Sequence, residues 1–447
     1  MKTILILGAG LSSSSLIRYL LQHAGQQNWQ VRIVDQNIES VQKKIASNPH
    51  GVALSFDALN PEERRPEIER ADLVISMLPA RFHVDVAKDC IELKTKLITP
   101  SYISKEMQEL DQAAKEAGIL IMNEIGVDPG IDHMSAAKII DEIKHQGGKI
   151  TCFKSYCGGL IAPEYDNNPW HYKFTWNPRN VVLAGFGGAA KYIEQGLYKF
   201  IPYHELFNRL DHIEIEGYGS FDGYANRDSL LYRSIYGLDE IPTIFRGTLR
   251  RPGFCQAWNI LVNLGMTDDS YVLENSERLT PRQFLNTFLP YDTSKPVEYK
   301  FDKLFTKGNK QLYDQFDWVG LFENDEAIGI ENASPAILLQ HILQKKLVLD
   351  PEDKDMIVMY HLFRYELDGQ ELEMTSSMVN IGENQVYTSM SNTVGLPVAI
   401  CSKLILQGKI PDLGVQIPIK EHVYQPILDE LEELGIGFKE SWPTLKH

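Results

Sequence analysis

The segment Thr3-Ile-Leu-Ile-Leu-Gly-Ala-Gly10 decides the fold that the sequence predicts. Its apolar residues predict a buried strand that ends in a glycine turn, and helical periodicity follows at 16–21. A second apolar strand, at 30–34, ends at Asp35. A strand, a glycine turn, a helix and a later carboxylate form the dinucleotide-binding unit, in which the helix N-terminus faces a pyrophosphate and the carboxylate binds ribose hydroxyls. The sequence therefore predicts a nucleotide-binding domain, and an incidental glycine turn in a flavodoxin-like layer is the alternative.

Residues around this unit refine the predicted cofactor site. Ser13 replaces the usual third glycine, and its small side chain still permits close packing of the helix on the strand. The serine run 12–15 adds hydroxyl and amide donors for a phosphate. Asp35 favours NAD over NADP, because a carboxylate accepts hydrogen bonds from a 2′-hydroxyl and repels a 2′-phosphate. Arg32 does not follow the acidic residue, so it is a poor candidate for binding that phosphate.

The alternation of strands and helices continues beyond Asp35. Further strands are predicted at 51–56, 71–78, 96–99 and 119–122, with helices at 82–93 and 106–117. Units of this kind with short connections indicate an α/β fold with a Rossmann-like, doubly wound parallel sheet. Polar residues lie at successive strand ends, where such sheets bind ligands: Ser76, Ser101, Tyr102, Asn123 and Asp128. One such residue is often only a helix cap, but their repetition at the same edge favours a functional site.

The turn Asn123-Glu-Ile-Gly-Val-Asp-Pro-Gly-Ile-Asp-His133 joins the last of these strands to a helix predicted at 134–143. Its carboxylates are candidates for different roles. Asp132 is interpreted as a helix cap, which the positive end of a helix favours. Asp128 is the carboxylate that we expect to face both nicotinamide and substrate, whereas Glu124 is left unassigned.

Composition and charge narrow the class of protein. A hydrophobic content of 43% and a charged content of 23% are ordinary for a soluble globular protein, and the net charge of −16 argues against nucleic-acid binding. Five scattered cysteines form neither a disulfide pattern nor zinc spacing, so we expect no metal site. The first apolar run is too short for a signal peptide, and we expect no membrane span of ~20 residues. These features predict a cytoplasmic protein.

Changes in pattern along the chain predict three parts. Residues 1–129 form the NAD(P)-binding Rossmann domain, joined by C-terminal helices within 391–447. An α+β domain comprises 130–255 and 351–390, and 256–350 form an α-helical domain. The α+β part contains arginine-bearing segments around Arg227 and Arg250, which suit an anionic substrate because guanidinium groups bind carboxylates bidentately.

Several segments together resemble the L-glutamate-forming saccharopine dehydrogenases, also called saccharopine reductases. They are Asn123–His133, Ser155-Tyr-Cys-Gly-Gly159 with Ala162-Pro-Glu164, Tyr172-Lys-Phe-Thr-Trp176, Asn226-Arg-Asp-Ser229, Arg246-Gly-Thr-Leu-Arg250, Asp355-Met-Ile-Val-Met359 and Thr393-Val-Gly-Leu-Pro397. The resemblance covers essentially the whole chain. It implies a homodimer and a reaction of lysine metabolism, in which saccharopine, NAD(P) and water give glutamate and 2-aminoadipate 6-semialdehyde.

The resemblance also implies roles for individual residues. Substrate contacts are assigned to Ser101, Tyr102, Asp128, Arg227, Thr248, Leu249 and Arg250. Cofactor contacts are assigned to Gly8, Gly10, Leu11, Ser12, Ser13, Asp35, Asp57, Leu78, Val127, Asp128, Pro129 and Trp176. Candidates for handling the amine proton are Asp128, Tyr102, Cys157 and His133, unless the amine loses its proton to solvent before binding. Some members use NADP, and Asp35 makes this chain resemble the NAD-using members.

Other functions compete with this one. A related imine reductase, such as a carboxynorspermidine dehydrogenase, would need fewer carboxylate partners, so the two arginine segments favour saccharopine. A non-catalytic NAD(P)-binding regulator would tolerate loss of Asp128 and of these arginines, all of which are present. A purely structural dimer leaves the glycine turn and Asp35 unexplained.

Overall fold

The computed structural model describes residues 1–184 and 188–443, which divide into two compact units. The first unit comprises 1–150, 365–372 and 378–447, and the second comprises 151–364 and 373–377. Residues 130–150, 365–372 and 378–390, which were predicted in the α+β domain, belong to the first unit, and the predicted helical domain is part of the second. Residues 444–447 of the predicted C-terminal segment lie outside the described residues.

The strands in chain order are β1 (Lys2–Leu7), β2 (Trp29–Val34), β3 (Gly51–Leu54), β4 (Leu73–Ser76), β5 (Lys96–Ile98), β6 (Leu120–Met122), β7 (Lys149–Ile161), β8 (Ala190–Glu194), β9 (Leu197–Ile201), β10 (Leu210–Ile215), β11 (Gly219–Ala225), β12 (Thr243–Arg250), β13 (Asp355–Leu367), β14 (Gln370–Ile381), β15 (Gly414–Gln416) and β16 (Lys439–Ser441).

The helices are α1 (Ser14–Gln27), α2 (Ile38–Ile45), α3 (Pro61–Glu69), α4 (His83–Glu92), α5 (Lys105–Gln108), α6 (Asp111–Ala117), α7 (Ile131–His145), α8 (Pro178–Val182), α9 (Tyr232–Ile235), α10 (Phe254–Leu264), α11 (Pro281–Thr287), α12 (Val297–Phe301), α13 (Lys310–Trp318), α14 (Pro335–Gln344), α15 (Ser389–Leu406) and α16 (Glu421–Glu433). The segment predicted as one helix at 106–117 is divided between α5 and α6.

The first unit contains a parallel sheet in the order β15-β6-β5-β4-β1-β2-β3, which confirms the predicted doubly wound fold. Ile4 of β1 lies beside Val31 of β2 and Leu73 of β4. The strand order reverses between β1 and β4, and ligands of such sheets bind outside the carboxyl ends of the strands at that point. β15 joins the sheet through pairing with β6. The sequence analysis missed this strand because Gly414-Val-Gln416 contains a single apolar residue and lacks the apolar run that marked β5 and β6.

α15 is a core helix of the first unit. Its length and apolar composition would also suit a membrane span, contrary to the expectation that the chain has no such segment, but most of it is buried in the unit. It packs on α1, where Ser15 N donates to Ser391 Oγ at 2.9 Å and Ser15 Oγ donates to Asn392 Oδ1 at 2.6 Å. A Cβ at Gly395 would lie 2.8 Å from Leu16 N, so the close approach of the two helices requires glycine there.

The second sheet is mixed, with strands in the order β10-β11-β12-β7-β13-β14-β16, which confirms a second, mixed α+β layer. β12 runs parallel to β7 and antiparallel to β11, and the hairpin β8–β9 pairs with β12 through β8. Aromatic side chains dominate the packing. Trp170 is buried against Phe254 and Phe316, and its Nε1 donates to Gln315 O at 2.7 Å, which links the segment after β7 to α10 and α13.

Candidate active site

The glycine turn after β1 leaves open space where a phosphate would lie. Gly8 has a φ of +97°, and a Cβ at this residue would lie 3.1 Å from Met77 O, so both the backbone angle and the neighbouring strand require glycine. A Cβ at Gly10 would meet no atom within 4 Å. The turn is therefore open on the Gly10 side, which fits close approach of a dinucleotide backbone. Leu11 follows it with an exposed side chain.

Asp35 is tied to this turn. Its Oδ2 accepts a hydrogen bond from Ala9 N at 2.8 Å, and its Oδ1 accepts one from Asn37 N at 2.9 Å. The carboxylate at the end of β2 is thereby fixed beside the glycine turn, as the predicted ribose contact requires.

Lys44, on α2, was missed by the sequence analysis and lies beside the same turn. Its Nζ donates to Ala9 O at 2.7 Å, to Gly10 O at 2.6 Å and to Ser13 Oγ at 3.3 Å. Burial lowers the pKa of Lys44 to about 8, and the Asp35 carboxylate opposes that shift. The sequence signal for this residue was the basic pair Lys43–Lys44 in the helix after Asp35. Helical spacing alone does not show that the Lys44 side chain reaches back to the glycine turn.

Most of the serine run donates within the protein rather than to a ligand. Ser13 Oγ donates to Gly10 O at 2.8 Å, and Ser14 Oγ donates to Leu11 O at 3.3 Å. Ser15 is fully buried in its contact with α15. The predicted hydroxyl donors to phosphate therefore reduce to Ser12, which is half-buried.

The remaining cofactor candidates of the first unit follow the ends of β3, β4 and β6. Asp57 is exposed, and its Oδ1 accepts from Leu59 N at 3.0 Å, which caps the turn after β3. Leu78 follows β4 and is half-buried, whereas Val127 and Pro129 are buried in the turn before α7. These residues lie at the edge of the sheet predicted to bind ligands.

Tyr102 and Asp128 are brought together at this edge. Tyr102 Oη donates to Asp128 Oδ1 at 2.6 Å, and both side chains are accessible, Tyr102 being 45% exposed. A carboxylate has about four lone-pair sites, so the hydrogen bond from Tyr102 is compatible with a ligand ammonium or a proton at Asp128.

His133 and Glu124 form a buried pair beneath these residues. His133 Nε2 lies 2.9 Å from Glu124 Oε2, with both side chains almost completely buried. Glu124 Oε1 accepts from Ile103 N at 2.9 Å, and Glu124 N donates to Ser101 O at 3.1 Å. This arrangement gives His133 a structural position under the loop that contains Tyr102, rather than access to a ligand.

Asp132 is not the N-cap residue of the helix that was predicted to begin at Met134. α7 begins three residues earlier, at Ile131, and its N-cap is Gly130, whose φ is +147°. Asp132 lies in the first turn, where its Oδ1 accepts from Gly130 N at 2.6 Å. Its carboxylate thus satisfies a backbone donor from inside the helix.

In the second unit, Arg250 is a buried cation that forms no ion pair with any residue in the described ranges. Its side chain is 4% exposed, its Nη1 donates to Leu249 O at 2.8 Å, and its Nε has no hydrogen-bond partner in the described parts of the chain. The guanidinium lies 5.1 Å from the ring centre of Tyr172 and 5.4 Å from that of Phe254. Within residues 1–184 and 188–443, no carboxylate lies at ion-pair distance from it.

Arg227 and Thr248 line one cavity of about 290 Å³ in the second unit, beside Tyr224 and Lys191. Arg227 is exposed and forms no ion pair with any carboxylate that the structure describes. Thr248 on β12 lies beside Cys157 on β7, so one catalytic candidate neighbours a substrate candidate in the sheet.

Two other predicted contacts of the second unit differ in accessibility. The Leu249 side chain is fully buried, and a Cβ at Gly158 would lie 2.9 Å from its Cβ, so only the backbone of Leu249 can meet a ligand. Trp176 is 39% exposed, which leaves part of its ring accessible. No cluster of at least three His, Cys, Asp or Glu side chains suited to a metal occurs in the described ranges.

Comparison with known proteins shows that two domain models of one family match the chain. A family model described as the saccharopine dehydrogenase NADP binding domain matches residues 4–122, and the saccharopine dehydrogenase C-terminal domain matches residues 126–436. The chain belongs to the saccharopine dehydrogenase family. This confirms the resemblance found in the sequence motifs, and it places Lys44 and the glycine turn within the matched NADP binding domain.

Known relatives of this saccharopine dehydrogenase family member align with almost the whole chain. The chain is 34% identical to saccharopine dehydrogenase [NADP(+), L-glutamate-forming] of Saccharomyces cerevisiae, over 98% of this chain and 99% of the relative. It is 33% identical to the mitochondrial alpha-aminoadipic semialdehyde synthase of Mus musculus, over 98% of this chain and 47% of that longer protein.

Solved structures of relatives agree with this assignment. The apo histidine-tagged saccharopine dehydrogenase (L-Glu forming) from Saccharomyces cerevisiae matches with a TM-score of 0.89 and 33% identity, covering 99% of this chain and 100% of that chain. Homospermidine synthase from Legionella pneumophila, solved in complex with NAD, matches with a TM-score of 0.57 and 10% identity over 99% of this chain and 91% of its own. At that identity the second match shows a shared fold alone.

Proposed function

We propose that this chain interconverts saccharopine with L-glutamate and 2-aminoadipate 6-semialdehyde, transferring hydride between the secondary amine carbon and a nicotinamide cofactor. The observation on which this rests is the buried guanidinium of Arg250, which has no carboxylate partner among the described residues. A desolvated cation of this kind is costly unless an anion pairs with it, and saccharopine contains three carboxylates. The relatives named above, aligned over almost the whole chain, support the same reaction.

The two arginines would contribute unequally. A substrate carboxylate at Arg250 would form charge-assisted hydrogen bonds in a site from which water is largely excluded, each contributing about 1.5–3 kcal/mol. The exposed Arg227 is screened by water, so its interaction is weaker. Arg250 is therefore the main anchor, and Arg227 adds orientation at the rim of its cavity.

Oxidation requires the secondary amine to lose a proton before hydride leaves its carbon, and water then adds to the imine and releases the two products. Asp128 is the residue that we propose to hold the substrate ammonium, because its carboxylate is accessible and is oriented by Tyr102. Holding the amine in one orientation is a positioning effect on the reaction. The amine proton can pass to Asp128 or to solvent.

The glycine turn, Asp35 and Ser12 are the residues of the first unit that would hold the nicotinamide cofactor, which supplies the hydride acceptor when bound. The open space at Gly10 fits this role. We propose NAD as the cofactor, because Asp35 lies where a 2′-phosphate would be repelled. NADP is the competing cofactor, since the yeast relative is named for NADP(+) and the Lys44 ammonium lies beside the same turn.

The direct test is an assay of the purified protein with saccharopine and either NAD or NADP, following the near-ultraviolet absorbance of the reduced nicotinamide. We expect turnover with saccharopine and a higher kcat/KM with NAD than with NADP. Absence of turnover with both cofactors contradicts the proposed reaction, whereas a preference for NADP contradicts only the choice of cofactor. The predicted homodimer is tested separately by sedimentation of the same preparation.

A further inference from the structure

A histidine that is not among the predicted site residues lies between two strand ends of the parallel sheet. His83, the first residue of α4, has its Nδ1 2.9 Å from Oγ of Ser76, the last residue of β4. Its Nε2 lies 2.8 Å from Ser101 Oγ and 2.9 Å from Thr99 Oγ1, both after β5. One imidazole therefore meets three hydroxyl groups, and one of these belongs to a predicted substrate contact.

The surroundings keep this imidazole uncharged. His83 is 3% exposed, and burial lowers its pKa to about 4. The groups that contact its ring nitrogens are hydroxyls, so no carboxylate favours a second proton. At neutral pH the ring consequently has one N–H and one lone pair, which it must distribute among the three hydroxyls.

Counting hydrogens distinguishes the two possible protonation sites. With the proton on Nδ1, the N–H faces Ser76 Oγ, and the Ser76 hydrogen has no other partner in the described residues. The hydroxyls of Ser101 and Thr99 would then compete for the single Nε2 lone pair, so that one of the two hydrogens would not be bonded to the ring. With the proton on Nε2, Ser76 donates to Nδ1, and the N–H is shared by the oxygens of Ser101 and Thr99. The second arrangement satisfies the buried Ser76 hydrogen and leaves the Ser101 hydrogen available to a ligand.

Ser101 is placed to use that hydrogen. It is half-buried, whereas Thr99 and Ser76 are almost completely buried. Its carbonyl is held by Glu124 N, and the next residue, Tyr102, donates to Asp128. The loop after β5 that contains the Ser101 hydroxyl is thus linked by hydrogen bonds to the turn after β6 that contains the proposed ammonium site, Asp128.

We propose that His83 is a positioning residue of the substrate site, which carries its proton on Nε2, donates to Ser101 Oγ and thereby orients the Ser101 hydroxyl as a donor to a saccharopine carboxylate. This rests on the proposed function for the identity of the anion. The protonation state itself depends only on the contacts within the first unit.

Initial-rate kinetics of four variants test the proposal: S101A, H83L, the double variant S101A/H83L, and T99V as a control that removes the other hydroxyl on Nε2. We expect S101A and H83L each to raise the KM for saccharopine about tenfold, the effect of losing one hydrogen bond to a charged group, and to leave the KM for the cofactor unchanged. Because both changes remove the same donor, the double variant should match S101A rather than multiply the losses. T99V should change the saccharopine KM by less than about threefold.

A conservative variant and a spectroscopic measurement separate positioning from folding. H83Q retains an amide donor and should restore part of the saccharopine affinity that H83L loses. Nitrogen NMR of labelled histidines in the wild-type protein, with H83Q used for assignment, should show His83 protonated on Nε2 without titration between about pH 5 and 8.

Several results would overturn the proposal: multiplying losses in the double variant, an H83L protein with the wild-type KM for saccharopine, a T99V loss equal to that of H83L, or a proton on Nδ1. Failure of the wild-type protein to oxidise saccharopine is a different result, because it contradicts the proposed function and leaves the NMR measurement to decide the state of His83.

Discussion

Replacing Arg250 by methionine removes a buried guanidinium that has no carboxylate partner in the parts of the chain described by the structure. The methionine side chain has similar length and would lie among the rings of Tyr172, Tyr224 and Phe254. If Arg250 binds a substrate carboxylate, R250M should raise the KM for saccharopine and preserve the stability of the free protein. If Arg250 were structural, the protein would lose stability instead.

The expected magnitudes follow from the contacts. Loss of a desolvated, charge-assisted interaction costs about 3 kcal/mol of substrate binding, which corresponds to roughly a 150-fold rise in KM where KM reports binding. The Nη1 bond to Leu249 O is the only protein hydrogen bond of this guanidinium in the described residues, so little is lost in the free protein. Exchange of a buried charge for an apolar side chain of similar volume is often neutral or stabilising.

Arg64 provides a matched control, because it is equally buried but paired. Its Nη2 lies 2.6 Å from Asp89 Oδ2, so R64M leaves a buried carboxylate whose one remaining charged partner among the described residues is Arg65. We expect R64M to lower the free energy of unfolding by about 3 kcal/mol and to leave the saccharopine KM unchanged. Urea denaturation and initial-rate kinetics of both variants give the comparison. An R250M protein that is destabilised like R64M, with an unchanged saccharopine KM, would refute the assignment of Arg250.

Three further predictions test the two units separately. R227M should raise the KM for saccharopine roughly tenfold while changing that for NAD by less than about twofold, and equal losses for both ligands would contradict a carboxylate contact. D35A should weaken the binding of NAD roughly tenfold and that of NADP less, as measured by fluorescence titration. The 2′-hydroxyl of NAD loses its hydrogen bond to the carboxylate, whereas the 2′-phosphate of NADP is no longer repelled. Burial lowers the pKa of His83 from 6.5 to about 4 in the folded protein, so between these pH values the unfolded chain binds a proton more readily. The free energy of unfolding should therefore fall as pH decreases through this range, by about 3 kcal/mol in total from this group. Denaturation midpoints of wild type and H83Q measured across that range should diverge, and parallel curves would show that His83 is not the group responsible.

The sequence by itself determined the elements of the nucleotide-binding unit and the family. The apolar run of β1, the glycine turn and Asp35 are local signals, since periodicity and turn chemistry depend on neighbouring residues. The motifs likewise identified the saccharopine dehydrogenase family, which the matched domains confirm. Individual site residues remain predictions that the experiments above address.

Only the tertiary structure decided which polar groups are already satisfied. Ser15 and Asn392 are 377 positions apart, and their contact diverts one serine of the predicted phosphate-binding run to helix packing. Lys44 reaches the glycine turn across 34 positions, and His83 contacts Ser76 at the end of β4 and Ser101 in the loop after β5. A hydrogen-bond donor or a charge becomes functional when the fold leaves it without an internal partner, and such partners come from distant segments that no local pattern specifies. The sequence shows that Arg250 lies in a family motif. That Arg250 has no carboxylate partner among the described residues follows from the long-range arrangement of the fold.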